Sequence, residues 1–110
     1  MKFRIIATEP FEKQFKNLYW KYPSLKKELE WLVNGLETIP KQGTSLGADC
    51  FKIRIAIKSK GQGKSGGGRI ITCVKIVHKT VYLVALYDKS EQESLSDERL
   101  HHLLKAARLI

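Results

Sequence analysis

A chain of 110 residues, 43% apolar and 28% charged, is too hydrophobic to stay disordered and long enough for one modest core, and it holds no apolar run that could span a bilayer. Its 20 Lys and Arg against 11 Asp and Glu leave a net charge of +9, which points to a polyanionic partner such as nucleic acid, with an acidic protein partner compatible alongside it. One domain over residues 1–110 is expected, and because the opening MKFRIIATEP fits neither a secretory signal nor a transit peptide, so is a cytoplasmic location.

Residues 2–7 form a short β-rich run, after which Thr8, Glu9 and Pro10 read as a helix start, proline being tolerated in the first turn. Phe11, Phe15, Leu18, Tyr19 and Tyr22 then recur at helical spacing until Pro23. Ser24 is placed to cap a second helix, whose apolar stripe is Leu25, Leu29, Leu32, Val33 and Leu36. The aromatic side chains Tyr19, Trp20, Tyr22 and Trp31 are expected in the core of this helical hairpin. Residues 39–49, punctuated by Pro and Gly, read as a loop.

The period then changes from 3.6 to 2. Phe51, Ile53, Ile55 and Ile57 alternate with Lys52, Arg54, Ala56 and Lys58, so one face meets the core and the other presents cations. Residues 69–78 and 80–87 are β-branched and aromatic enough for two more strands, separated by a short turn near His78 and Lys79. A polar stretch follows, and Leu100, Leu103, Leu104 and Ala107 predict a terminal helix with Ser96 as its cap. The expected fold class is α+β in the order β-α-α-β-β-β-α, a helical hairpin packed on a mainly antiparallel four-stranded sheet. Cys50 and Cys73 are expected to be buried small apolar residues, since one possible pair does not make a disulfide scaffold.

The charge is concentrated. From Cys50 to Tyr87 there are eight basic residues and no acidic one. The centre of this segment, KSKGQGKSGGGR, invites a phosphate-loop reading, but a Walker A loop needs glycine where Lys58 stands and a helix where a strand follows. No nucleotide cofactor is therefore expected. Instead, glycines that allow close backbone approach, set among Lys58, Lys60, Lys64 and Arg69, fit a clamp on an RNA or DNA backbone.

The stretches DCFKIRIAIKSKGQGKSGGGRII and VYLVALYDKSEQESLS resemble toxins of the RelE/ParE superfamily of type II toxin–antitoxin modules, most closely the HigB-like branch. The resemblance implies a RelE-like, microbial-RNase-like fold and a ribosome-dependent endoribonuclease that cuts messenger RNA in the ribosomal A site. It also implies a cognate antitoxin, with a helix-turn-helix DNA-binding domain expected on that partner. Matched residue by residue, the strand cations are Lys52 and Arg54, the loop cations Lys58, Lys60 and Lys64, the arginine opening the next strand Arg69, and the strand-end pair Tyr87 and Lys89. A second arginine that some relatives carry after the last strand is Ser90 here, and a histidine found there in others is replaced by Asp88 or Lys89. The general acid and base are thereby left open.

Metal-independent RNA cleavage requires attack of the 2′-hydroxyl on the adjacent phosphate, so charge on a phosphorane must be stabilised and two protons moved. Arg69, whose guanidinium can donate two parallel bonds, is the candidate stabiliser. Lys58 and Lys64 are candidates for proton transfer, each lowering its neighbour's pKa by repulsion, and Tyr87 could donate a proton or stack on a base. Lys52, Arg54, Lys60 and Lys89 are candidate RNA contacts. No metal is expected, because His78, His101 and His102 lack a ligand spacing and read as surface residues. A non-catalytic basic binding module, or a ParE-type inhibitor of DNA gyrase, would use the same surface without needing Arg69 and Tyr87 together.

Overall fold

The computed structural model describes residues 2–61, 66–92 and 94–110; Lys64 lies outside the described residues. The chain runs β1 (Arg4–Ala7), α1 (Glu9–Lys21), α2 (Leu25–Thr38), β2 (Thr44–Gly47), β3 (Cys50–Ile55), a 3-10 turn (Lys58–Lys60), β4 (Gly68–Lys75), β5 (Thr80–Asp88) and α3 (Asp97–Ala106). The sheet has five strands in the order β1-β5-β4-β3-β2, parallel at β1/β5 and antiparallel elsewhere.

The class and element order follow the sequence expectation, with one strand more. β2 lies inside the stretch expected as a loop. Its residues, TSLG, are all exposed and carry no apolar alternation, so pairing with β3 is what makes them a strand. Gly43 opens that pairing at φ +89°, where a Cβ would stand 2.2 Å from the Lys52 carbonyl oxygen; no other residue type fits so close to backbone.

Periodicity decides which face each element buries. Ile53, Ile55, Ile57, Ile70, Val74, Val81, Leu83 and Leu86 pack against Phe11 and Leu18 of α1 and Leu25, Leu32 and Leu36 of α2. On the opposite face Cys50, Ile71, Cys73, Val84, Ala85 and Tyr87 pack against Leu103 and Leu104 of α3. The two cysteines are buried, as expected, and the three histidines are exposed.

Two expectations about the hairpin fail. Trp20 and Trp31 are 90% and 68% exposed, not core residues. Trp20 follows the buried Leu18 by two residues, about 200° round the helix, so α1 cannot bury both. Tyr19, 39% exposed, stacks on Phe15 with ring centroids 5.5 Å apart. Ser24 does not cap α2 through its side chain. Its hydroxyl accepts instead from the Ser59 backbone N–H at 2.8 Å, while the Ser59 hydroxyl accepts from the Ser24 N–H at 2.8 Å.

Ser96 does cap α3, its hydroxyl accepting from the Arg99 N–H at 3.1 Å. Ser96→Ala is expected to cost about 1 kcal/mol, the usual value of such a cap. Urea unfolding would show it as a lower midpoint at unchanged slope.

Candidate functional site

The ladder register places the cations. The Val74 N–H donates to the Asp49 carbonyl at 2.9 Å, which makes Asp49 and Val74 a hydrogen-bonded pair. Since bonded and non-bonded pairs alternate along antiparallel strands, Cys50/Cys73, Lys52/Ile71 and Arg54/Arg69 are the non-bonded pairs, the class with Cα atoms only about 4.5 Å apart. Arg54 and Arg69 therefore stand directly opposite each other at the shorter spacing. Like charges directly opposite each other destabilise a sheet unless negative charge lies near them, so such a pair suits an anion.

On its other side Arg69 is paired with Tyr87. The row Arg54–Arg69–Tyr87 thus crosses three strands on the face that α3 partly covers, with Lys52 one row further along the same face of β3. Arg54 is exposed. Arg69 and Tyr87 are each 5% exposed, and the Arg69 guanidinium donates to the Gly68 carbonyl at 2.9 Å. The Tyr87 hydroxyl is buried without a hydrogen-bond partner among the described residues. Burial pushes its pKa up, and the pull of the Arg69 charge only partly offsets this. At neutral pH Tyr87 is accordingly a proton donor, not a base.

The base of the glycine-rich loop is fixed to both neighbouring elements. The Ser24/Ser59 exchange ties the 3-10 turn to the start of α2, and exposed Lys58 reaches Glu28 at 3.5 Å. Lys60 folds the other way. Its ammonium donates to the Asp88 carboxylate, to the Ser90 hydroxyl at 2.8 Å and to the Gly66 carbonyl at 3.5 Å. An ammonium has three N–H groups, so Lys60, expected as an RNA contact, is in this arrangement a strut joining the loop to the end of β5.

Asp88 was not among the candidate residues. Its side chain is fully buried and that of Lys60 is 13% exposed. Burial pushes the carboxyl pKa up, but the Lys60 bond, together with the Ser90 N–H at 2.9 Å and hydroxyl at 2.8 Å, brings it below the ordinary aspartate value. A sequence signal exists: Asp88 is the first carboxylate after the acid-free segment, at the end of an apolar strand. An isolated carboxylate at such a place needs a cation.

Lys89 is half-buried, and its backbone N–H donates to the Gly67 carbonyl at 3.0 Å. With Lys60, Gly66 and Ser90 it lines a cleft of about 280 Å³. The expected residues therefore divide into two groups. Arg54, Arg69 and Tyr87 form one row with Lys52 beside it, while Lys58, Lys60 and Lys89 belong to the loop base and the strand end.

The family model described as the RelE toxin of the RelE/RelB toxin–antitoxin system matches residues 3–110. Two solved structures are similar in fold. An arginine-substituted mutant of E. coli toxin RelE in the free state has a TM-score of 0.67 at 16% identity, covering 100% of both chains. The isolated E. coli RelE toxin in a P21 crystal form has a TM-score of 0.61 at 15% identity, covering 98% of this chain and 99% of that one. No curated protein matches the chain in sequence.

Proposed function

The chain belongs to the RelE toxin family of toxin–antitoxin systems, and from that premise we propose that the Arg54–Arg69–Tyr87 row is where it cuts RNA. Its activity is the family's, ribosome-dependent endonucleolytic cleavage of messenger RNA, which inhibits translation. The observation that carries the site assignment is the like-charged Arg54/Arg69 pair at the shorter cross-strand spacing with a protonated tyrosine next to it. Two arginines paired across neighbouring strands can together hold a phosphate and stabilise the additional negative charge of the phosphorane formed when the 2′-hydroxyl attacks. Tyr87 can then give its proton to the departing 5′-oxygen.

Arg54, being exposed, meets the backbone first. Arg69 and Tyr87 become reachable as the side chains over them shift on binding, the kind of rearrangement that tightens catalytic contacts in a bound complex. Lys52, Lys58 and Lys89 add electrostatic hold along the strand, and Lys64 belongs to the same loop by sequence. Lys60 acts through Asp88 to keep the loop in place. The glycine and lysine spacing of this loop supports the HigB-like branch within the family.

A ribosome programmed with one messenger tests the reading. The purified toxin should cut in the A-site codon, and a 2′-deoxy substitution at the nucleotide preceding the cut should abolish cleavage. Cleavage that survives the substitution would exclude attack by the 2′-hydroxyl.

Lys58→Ala should weaken binding to the programmed ribosome and lower the salt slope of log K by about 0.7, the value for one contact to a single-stranded phosphate. Its exposed ion pair with Glu28 is weak enough for RNA to displace. Affinity at two salt concentrations measures the slope; an unchanged slope would remove Lys58 from the interface.

The toxin acts with a cognate antitoxin. We place an acidic segment of that antitoxin over the Arg54 face, since covering the cations and excluding RNA are one geometric act, and we expect a helix-turn-helix DNA-binding domain on it. Among the described residues no helix is long and apolar enough to cross a membrane, and a ribosome-directed toxin of one domain over residues 1–110 would work in the cytoplasm.

A further inference from the structure

We propose that Cys50 and Cys73 are a peroxide-oxidisable pair that closes a reversible cross-strand disulfide around the basic hairpin. Both are free and buried, and they are directly paired between β3 and β4. The Asp49–Val74 hydrogen bond makes theirs a non-bonded pair, for which a Cα separation of about 4.5 Å is usual. That falls at the short end of the range a disulfide bridges without backbone movement, about 4.4 to 6.8 Å. The two sulfurs can therefore be joined with little movement of the backbone.

The thiols also differ in a useful sense. The Cys50 Sγ lies 3.5 Å from the Ala48 carbonyl, and its hydrogen can also turn to Cys73. A bond donated by Cys50 lowers the Cys73 thiol, while the same bond and burial push Cys50 up. Cys73 is thus the nucleophile and Cys50 the resolving thiol.

A route for a small oxidant exists beside them. A cleft of about 420 Å³ between the β2–β3 turn and α3 is lined by Ala48, Leu100 and Leu104 among others, and Leu104 packs in the same cluster as both cysteines. A hydroperoxide, the oxidant class proposed here, can enter such a space when α3 shifts slightly.

The Cys73 thiolate attacks one peroxide oxygen, the O–O bond breaks, and hydroxide leaves as water with the thiol proton. The sulfur is now a sulfenic acid. Cys50 attacks that sulfur, the S–O bond breaks, and the oxygen departs as a second water. Two thiols and one hydrogen peroxide therefore give one disulfide and two waters. The ring so closed, from Cys50 to Cys73, contains Lys52, Arg54, Lys58, Lys60, Lys64 and Arg69. Constraining this ring in the unfolded chain stabilises the hairpin that carries them.

The test uses the full chain and hydrogen peroxide. Intact mass should fall by two hydrogens per monomer, both thiols should be lost to alkylation, the melting temperature should rise, and dithiothreitol should reverse all three. Cys50→Ala, the smallest apolar replacement, should abolish both the two-hydrogen mass loss and the rise in melting temperature. Two thiols still alkylated after peroxide treatment of folded protein would overturn the proposal, as would disulfides found only between chains. These readouts involve no RNA, so their failure is distinct from failure of the cleavage assignment.

Discussion

Asp88→Ala is expected to lower folding stability by about 3 to 5 kcal/mol, the usual cost of leaving one partner of a buried ion pair alone. The carboxylate it removes is fully buried and accepts from Lys60 and from the N–H and hydroxyl of Ser90. Without it an ammonium only 13% exposed keeps two neutral acceptors and no counter-charge. Replacing both partners, Lys60→Met with Asp88→Leu, should recover much of the loss, because the desolvated charges disappear together. Urea unfolding of the single and double variants measures both effects. A loss below about 1 kcal/mol for Asp88→Ala would mean that Lys60 escapes to water and that the pair is not the anchor of the loop.

The same pair predicts the acid limb of stability. The Asp88 pKa is lower in the folded protein than its ordinary value, so the folded state favours the ionised form. Its contribution is fully present above the unfolded aspartate pKa of about 3.9 and is lost as pH falls through the lower folded value. Wild-type stability should therefore decline on acidification below about pH 4 more steeply than that of Asp88→Asn, which has no proton to take up.

Arg69→Ala is expected to slow the cleavage step about 100- to 1,000-fold, roughly 2.7 to 4 kcal/mol, the loss seen when one preorganised donor to transition-state charge is removed. Arg69 has the position for that role, between Arg54 and Tyr87 in one row. Its burial makes its charge more effective than that of an exposed lysine, because little water screens it. Ribosome affinity should change far less, since exposed Arg54 and Lys58 remain to hold the backbone. Arg69→Lys should restore only part of the rate, for an ammonium keeps the charge but not the two parallel N–H bonds. Single-turnover cleavage on programmed ribosomes at saturating toxin, with circular dichroism to confirm folding, measures the effect. Wild-type cutting by saturated Arg69→Ala would make Arg69 a tether and move the chemistry elsewhere.

Periodicity, read along the chain, was enough for much of this molecule. The alternation from Phe51 to Ile57 identified β3 and its buried face, the stripes Phe11/Leu18 and Leu25/Leu32/Leu36 identified the hairpin helices, and Ser96 marked the start of α3. The acid-free basic segment with its glycines pointed to a nucleic-acid backbone, and the motifs within and after it to the family. These features are local, because helix and strand periods and turn residues act over a few positions.

What the tertiary structure decided is which residues meet. β2 has no pattern of its own and exists through its pairing and the close approach at Gly43. Trp20 and Trp31 point outward because each helix can bury only one stripe. Ser24 turned to Ser59, and Lys60 to Asp88, across gaps in sequence that no window of a few residues spans. Alternation put Lys52 and Arg54 on one face, but the ladder register set Arg54 against Arg69 and Cys50 against Cys73. A shift of one residue would have turned each of those side chains to the other face. Register is set by turns and by packing against both faces at once, so it became visible only with the folded sheet.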